Sequence, residues 1–211
     1  MIYGGLPGSN RKLFYLPIIH TPADMGTLGS SVTRAKVSAF GQRRVEQAAA
    51  GVQKLWDQIE IIVTNLADNP GIKRVYQDGL PFCGREPEIV AELAQAGSRN
   101  YGLLLKLQSR GAVLMGTESP ELLVEEYQVA LAKFAPKGAS GAGKDRDRLR
   151  HDLIDRRDRY VAQRINSTLL PGETAILFMG MLHKITRWLD RGISVVYPLR
   201  PGSGKQEAGD G

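Results

Sequence analysis

Two of the three histidines in this chain, His20 and His183, stand at the ends of short apolar runs, and two carboxylates, Asp78 and Glu118, stand at the ends of two others. The runs cover residues 13–19, 73–77, 112–117 and 175–182. A neutral imidazole acts as a base near neutral pH or ligates a divalent metal. A carboxylate orients the imidazole, completes a coordination shell or activates water. If the four runs are parallel strands of one open α/β sheet, their C-terminal ends share an edge, where such sheets collect ligands and catalytic groups. The expected site is a cleft formed by His20, Asp78, Glu118 and His183. Its chemistry would be acid–base catalysis or coordination of zinc, manganese or iron.

Each residue alone has a plainer reading. Asp78 before Gly79 is an ordinary turn pair, and Glu118 suits the positive end of a following helix. His20 can close a strand, and His183 can be a structural histidine; if it faces a cleft, it should support little packing. Their joint occurrence at strand ends is what points to a site.

Arg157 is a fifth candidate. Between Lys144 and Arg164 the chain carries eight basic residues and five aspartates, a mixture that suits a solvated helix face. Leu153, Ile154, Tyr160, Val161 and Ile165 define the inward side of that helix, and Arg157 lies in the same arc. A buried guanidinium needs a carboxylate or an anionic ligand. Arg157 is therefore expected to pair with Glu118 or to stabilise developing negative charge. His151 lacks such a setting and is expected to be structural. Cys83 follows the second run, where a nucleophilic thiol would need a base within reach; no cysteine-enzyme signature surrounds it, and an inert role is expected.

Gly138-Ala-Ser-Gly-Ala-Gly143-Lys144 has the spacing of a phosphate-binding loop, but Asp145 replaces the hydroxyl residue that would hold magnesium. A proline and a helical pattern precede it where a strand is required. The segment reads as a linker over 136–146, and no nucleotide is expected.

The elements that must position these groups follow from patterning. With 211 residues, 42% of them hydrophobic and 24% charged, the chain suits one α/β domain over 1–200, followed by a Gly-rich polar tail over 201–211. Apolar residues from Val37 to Leu66 recur at helical spacing, predicting one long N-terminal helix with a bend near Gly41 or Gly51. Helices are also expected near 88–110, 121–134, 147–170 and 185–190, and a fifth strand over 193–197. Pro17 within the first strand predicts an edge position or a bulge. Strands alternating with helices imply a mainly parallel sheet of about five strands. One cysteine excludes an intramolecular disulfide and fits a reducing compartment. No signal-peptide pattern or membrane-length apolar run is present, so the expected location is the cytoplasm, with no membrane partner. A net charge of +6 permits an anionic partner, while the mixed charges disfavour nucleic acid.

The stretch Arg157-Asp-Arg-Tyr-Val-Ala-Gln-Arg-Ile165, followed by Ala175-Ile-Leu-Phe-Met-Gly-Met-Leu-His183, resembles the end of the TraB/TIKI proteins and the wider erythromycin esterase and ChaN-like group. Those proteins have an arginine-led helix and then a strand ending Gly-x-x-His, matched here by Gly180 and His183. Pro17-Ile-Ile-His20 is similar to their early strand ending, with proline in place of glycine, and Gly116-Thr-Glu118 to their acidic position in mid-chain. The match at Asp78 is looser. The resemblance implies an α/β fold with a histidine–carboxylate cleft, and a group that includes hydrolases, some metal-dependent, and iron- or haem-handling members. The expected function is a hydrolase-like enzyme acting on a small molecule or peptide. The alternatives are a binding or regulatory protein using its basic surface for an anionic partner, and a metal-handling protein without turnover.

Overall fold

The computed structural model describes residues 10–67, 71–131 and 142–199. Five parallel strands form one sheet in the order β3-β2-β4-β1-β5. They are β1 (Arg11–Ile18), β2 (Ile72–Gln77), β3 (Val113–Met115), β4 (Thr174–Gly180) and β5 (Ile193–Val196). The helices are α1 (Gly29–Phe40), α2 (Gln42–Ala67), α3 (Glu86–Gln95), α4 (Arg99–Ser109), α5 (Pro120–Leu131) and α6 (Ala142–Thr168), with 3₁₀ turns at Pro22–Leu28 and Ile185–Trp188. The α/β class with a parallel five-stranded sheet is as the sequence predicts.

The continuous apolar runs of β1 and β4 follow from burial on both faces. Leu16, Ile18, Ile176 and Phe178 enter a core closed by Trp56, Ile59 and Val63 of α2 together with Val90 and Leu104 of α3 and α4. The alternate residues Leu13, Tyr15, Leu177 and Met179 enter a second core under Val161, Ile165 and Leu169. Pro17 lies in an interior strand, but β5 pairs only with Arg11–Phe14. Beyond Phe14 that side of β1 has no ladder partner among the described residues, so the missing N–H of Pro17 breaks no sheet bond there.

Two expected helices are divided. The long N-terminal helix is two helices meeting at Gly41, whose φ of 83° is open to glycine at little strain. The expected helix over 88–110 is α3 and α4, separated by Gly97 (φ 90°) and restarted by Ser98, whose Oγ accepts the Tyr101 N–H at 3.2 Å. In the expected linker, residues 136–141 lie outside the described residues and 142–146 open α6; the expected tail also lies outside. Among the described residues no helix is long and apolar enough to cross a membrane.

Candidate active site

A parallel sheet places every strand's C-terminal end on one edge. His20 follows β1, Asp78 follows β2, Glu118 follows β3, and His183 follows β4. Backbone bonds hold the connecting loops. The Asp78 N–H donates to Phe178 O at 2.9 Å, extending the β2–β4 ladder by one rung. The Thr117 and Glu118 N–H groups both donate to Leu80 O, and the Phe82 N–H donates to Glu118 O at 2.8 Å. Gly116 is required here, because a Cβ would come within 2.6 Å of both Phe82 Cα and Glu86 Oε1.

Asp78 is the hub. Its Oδ2 lies 3.0 Å from His20 Nε2 and accepts the Gly180 N–H at 3.0 Å, while His183 Nε2 stands 3.7 Å away. Its Oδ1 accepts from Arg157 Nη2 at 2.8 Å. Burial alone would raise the Asp78 carboxyl, but the His20 hydrogen bond and the charges of both imidazoles and Arg157 hold it well below the usual carboxylate range. An ionised carboxylate only accepts, so His20 Nε2 must carry the proton. Nδ1 is then the free lone pair.

Arg157 braces the carboxylates. Its Nη2 and Nε donate to the two oxygens of Glu118 at 2.7 and 3.2 Å, and its Nη1 donates to Glu126 Oε2 on α5 at 2.7 Å. The pairing with Glu118 is thus present. All three guanidinium nitrogens are engaged and the side chain is only 4% exposed, so Arg157 is a positioning residue rather than a group facing a reacting atom. One guanidinium does not neutralise this cluster. Burial, reinforced by the Asp78 charge, raises the Glu118 pKa to about 7 against the opposing pull of Arg157.

The sequence reading omitted Asp158. Its Oδ1 accepts from His183 Nδ1 at 2.6 Å and its Oδ2 accepts the Lys184 N–H at 2.7 Å, fixing the imidazole with Nε2 toward Asp78. The signal was there: Ile154, Asp158, Val161 and Ile165 follow helical spacing, so Asp158 shares the inward stripe. His183 departs from the expected exposed strand-end residue, for its side chain is only 6% exposed. Burial lowers the His183 pKa, but the Asp158 hydrogen bond and the Asp78 charge outweigh it, leaving the pKa above the ordinary histidine value. His20 shows the same balance: burial lowers, Asp78 raises more, and the result is again upward.

These donors do not fit a divalent ion as arranged. Both Asp78 oxygens and both Glu118 oxygens are already bonded to protein N–H groups, and no group of three or more His, Cys, Asp or Glu among the described residues is disposed to hold a metal. Cys83 is exposed on the loop after β2, its own N–H donating to Glu86 Oε1.

Two clefts lie near the site; His20 lines one of them and His183 lines neither. One, of about 430 Å³, is lined by His20 and by apolar residues of α1 and α2. The other, of about 460 Å³, is polar and lined by Asp158, His151, Asp155, Lys184 and Arg187. His20 is the more open imidazole, its side chain 30% exposed.

Gly180 fixes how closely β4 approaches Asp78. A Cβ there would lie 2.7 Å from Asp78 Oδ2 and 3.7 Å from His20 Nε2. Gly180→Ala is expected to push Asp78 away from the His20 ring and to lower the melting temperature. The check is the His20 pKa by proton NMR, which should fall as its carboxylate partner retreats; an unchanged pKa would refute the close-contact argument.

Comparison of the chain with protein-family models, with curated proteins and with solved structures returns no match.

Proposed function

We propose that the chain is a hydrolase that cleaves an acyl bond by acid–base catalysis at His20 and His183. The observation that carries this reading is the pair of imidazoles facing one buried carboxylate oxygen, at 3.0 and 3.7 Å, each held by its own aspartate contact. The likeness of Gly180-Met-Leu-His183 and the Arg157 helix to the TraB/TIKI and erythromycin esterase group supports the same class.

The roles follow from the tautomers. With Nε2–H donated to Asp78, His20 presents Nδ1 to take a proton from water. The water oxygen bonds to the acyl carbon, the bond from that carbon to the leaving atom breaks, and the leaving atom receives a proton from His183 Nε2–H. The water proton, carried on His20 Nδ1, passes to solvent and His183 is reprotonated, so the balance is water and acyl substrate to acid and leaving group. A general acid acts in its protonated form, which the upward shift of His183 favours; the same upward shift at His20 means that its base form is reached only above the ordinary histidine range. Asp78, Asp158 and Arg157 act through these two rings. The proposed setting is the cytoplasm, consistent with one unpaired cysteine.

A basic docking face is less well supported. Arg156 donates to Glu125 at 2.8 Å, and the Arg159 guanidinium stacks 4.6 Å over the Trp188 ring, so two arginines of the charged helix already have partners.

The test is a panel of acyl esters, thioesters and amides against wild type and His183→Asn, with and without chelator. Asparagine can keep the donor to Asp158 while removing Nε2. Turnover falling at least a hundredfold in the variant, and unaffected by chelator, is expected. Equal turnover in both proteins would overturn the assignment, and loss on chelation would restore the metal-dependent alternative.

A further inference from the structure

The cleft beside His20 has a chemistry of its own. It lies between two helices that extend past the sheet. In α2 only Trp56, Ile59 and Val63 are buried, all in its C-terminal half, and α1 buries only Gly29. The first half of α2 and the facing side of α1 therefore form walls open to solvent. Val45, Ala48, Ala49 and Val52 make an apolar floor, and Phe40, 62% exposed, stands at the far end. Lys36 on α1 and Arg44 on α2 also line the cleft, and neither has an acidic partner among the described residues. Glu46, the only acidic residue from Gly29 to Lys54, accepts from Gln42, while Arg34 and Arg43 add further positive charge.

From Thr33 to Phe40 the wall spans eight residues of helix, with seven rises of about 1.5 Å between them, so the groove is roughly 10 Å long, the reach of an extended chain of about eight carbons. An apolar slot carrying two unpaired cations excludes cationic ligands and leaves a purely neutral one without its best contacts. We propose that this groove binds an anionic amphiphile, an acyl chain of about eight carbons bearing an acidic group met by Lys36 and Arg44, and that molecules of this kind that also carry an ester, thioester or amide bond, the bond cleaved, are the substrate class of the His20 site. The substrate part of this inference rests on the acid–base reading above; the binding part does not.

The experiment is calorimetric titration of the full chain with octanoate and with its neutral counterpart octanamide. Saturable one-to-one octanoate binding is expected, with octanamide at least tenfold weaker. Lys36→Glu/Arg44→Glu should weaken octanoate at least tenfold and abolish the preference over octanamide. Ala48→Trp, which fills the floor from an exposed position, should block both. Circular dichroism melting curves matching wild type would show that these surface changes leave the fold intact. His183→Asn, at a residue that does not line the groove, should bind octanoate within threefold of wild type, which separates the two claims: normal binding with normal turnover in that variant would sink the acid–base reading alone. Octanoate binding no better than octanamide, or unchanged by the charge reversals, would overturn the groove assignment. So would sedimentation with phosphatidylglycerol vesicles in the absence of octanoate binding, which would give this face to a lipid surface.

Discussion

Arg157→Ala is expected to destabilise the protein by about 3–5 kcal/mol, the usual consequence of removing one partner from a buried ion pair. The substitution leaves Asp78 and Glu118, 3% and 0% exposed, without their shared cation, and releases Glu126 on α5. For a chain of this length that corresponds to a fall in melting temperature of roughly 6–20 °C. The loss should depend on pH with a definite sign. Glu118 has a raised folded-state pKa of about 7, so the proton it binds contributes stability that is fully present below its unfolded value and is lost as pH rises through 7. Without Arg157 its ionised form is less favourable still. The gap between variant and wild type should therefore be widest near pH 8 and narrow toward pH 5, where Glu118 is neutral in both. Melting curves at the two pH values check this; a gap independent of pH would mean that Arg157 contributes through packing and not through charge.

The second large effect is on turnover. His20→Gln can keep a side-chain N–H for Asp78 and removes Nδ1, the lone pair assigned to the base. A loss of about 10²–10⁴ in turnover is expected, with little change in melting temperature because the ring is part-exposed and its bond to Asp78 is replaced. Wild-type activity should rise with pH through a value above that of an ordinary histidine, since Asp78 holds the His20 proton more tightly than burial expels it. It should fall again once His183 loses its proton. The stability linkage runs the opposite way: both imidazoles have raised pKa values, so their contribution is complete below the unfolded histidine value and disappears as pH rises through the folded one. Stability should decline over the pH range in which the base becomes active. A pH–rate profile with no acid limb, or one unchanged by His20→Gln, would remove His20 from the chemistry.

Much of the arrangement was determined by local sequence. The apolar runs of β1 and β4 suit strands buried on both faces, and parallel strands, the edge strand β3 included, carry whatever follows them to one edge; the common edge of His20, Asp78, Glu118 and His183 follows from the parallel arrangement. The inward arc of α6 likewise made Arg157 a residue in need of a carboxylate. Gly97 before Ser98 was a legible helix stop and start, and the continuous apolar pattern across 88–110 hid it because two helices packed on one core keep the same period.

Only the tertiary structure decided which groups face one another. Strand order sets β2 beside β4 and β4 beside β1, so the Asp78 side chain reaches across the end of β4, where it accepts the Gly180 N–H, to meet both imidazoles, while Glu118, one strand further out, turns to Arg157. No sequence spacing encodes that order. The partner of Asp158 was equally hidden: helical spacing turns the carboxylate inward, but the histidine that it holds comes from 25 residues further along the chain. The pKa values belong to the assembled site as well. Burial and several charges of both signs act within a few ångströms, and their balance depends on distances that exist only once the sheet has brought its strand ends together.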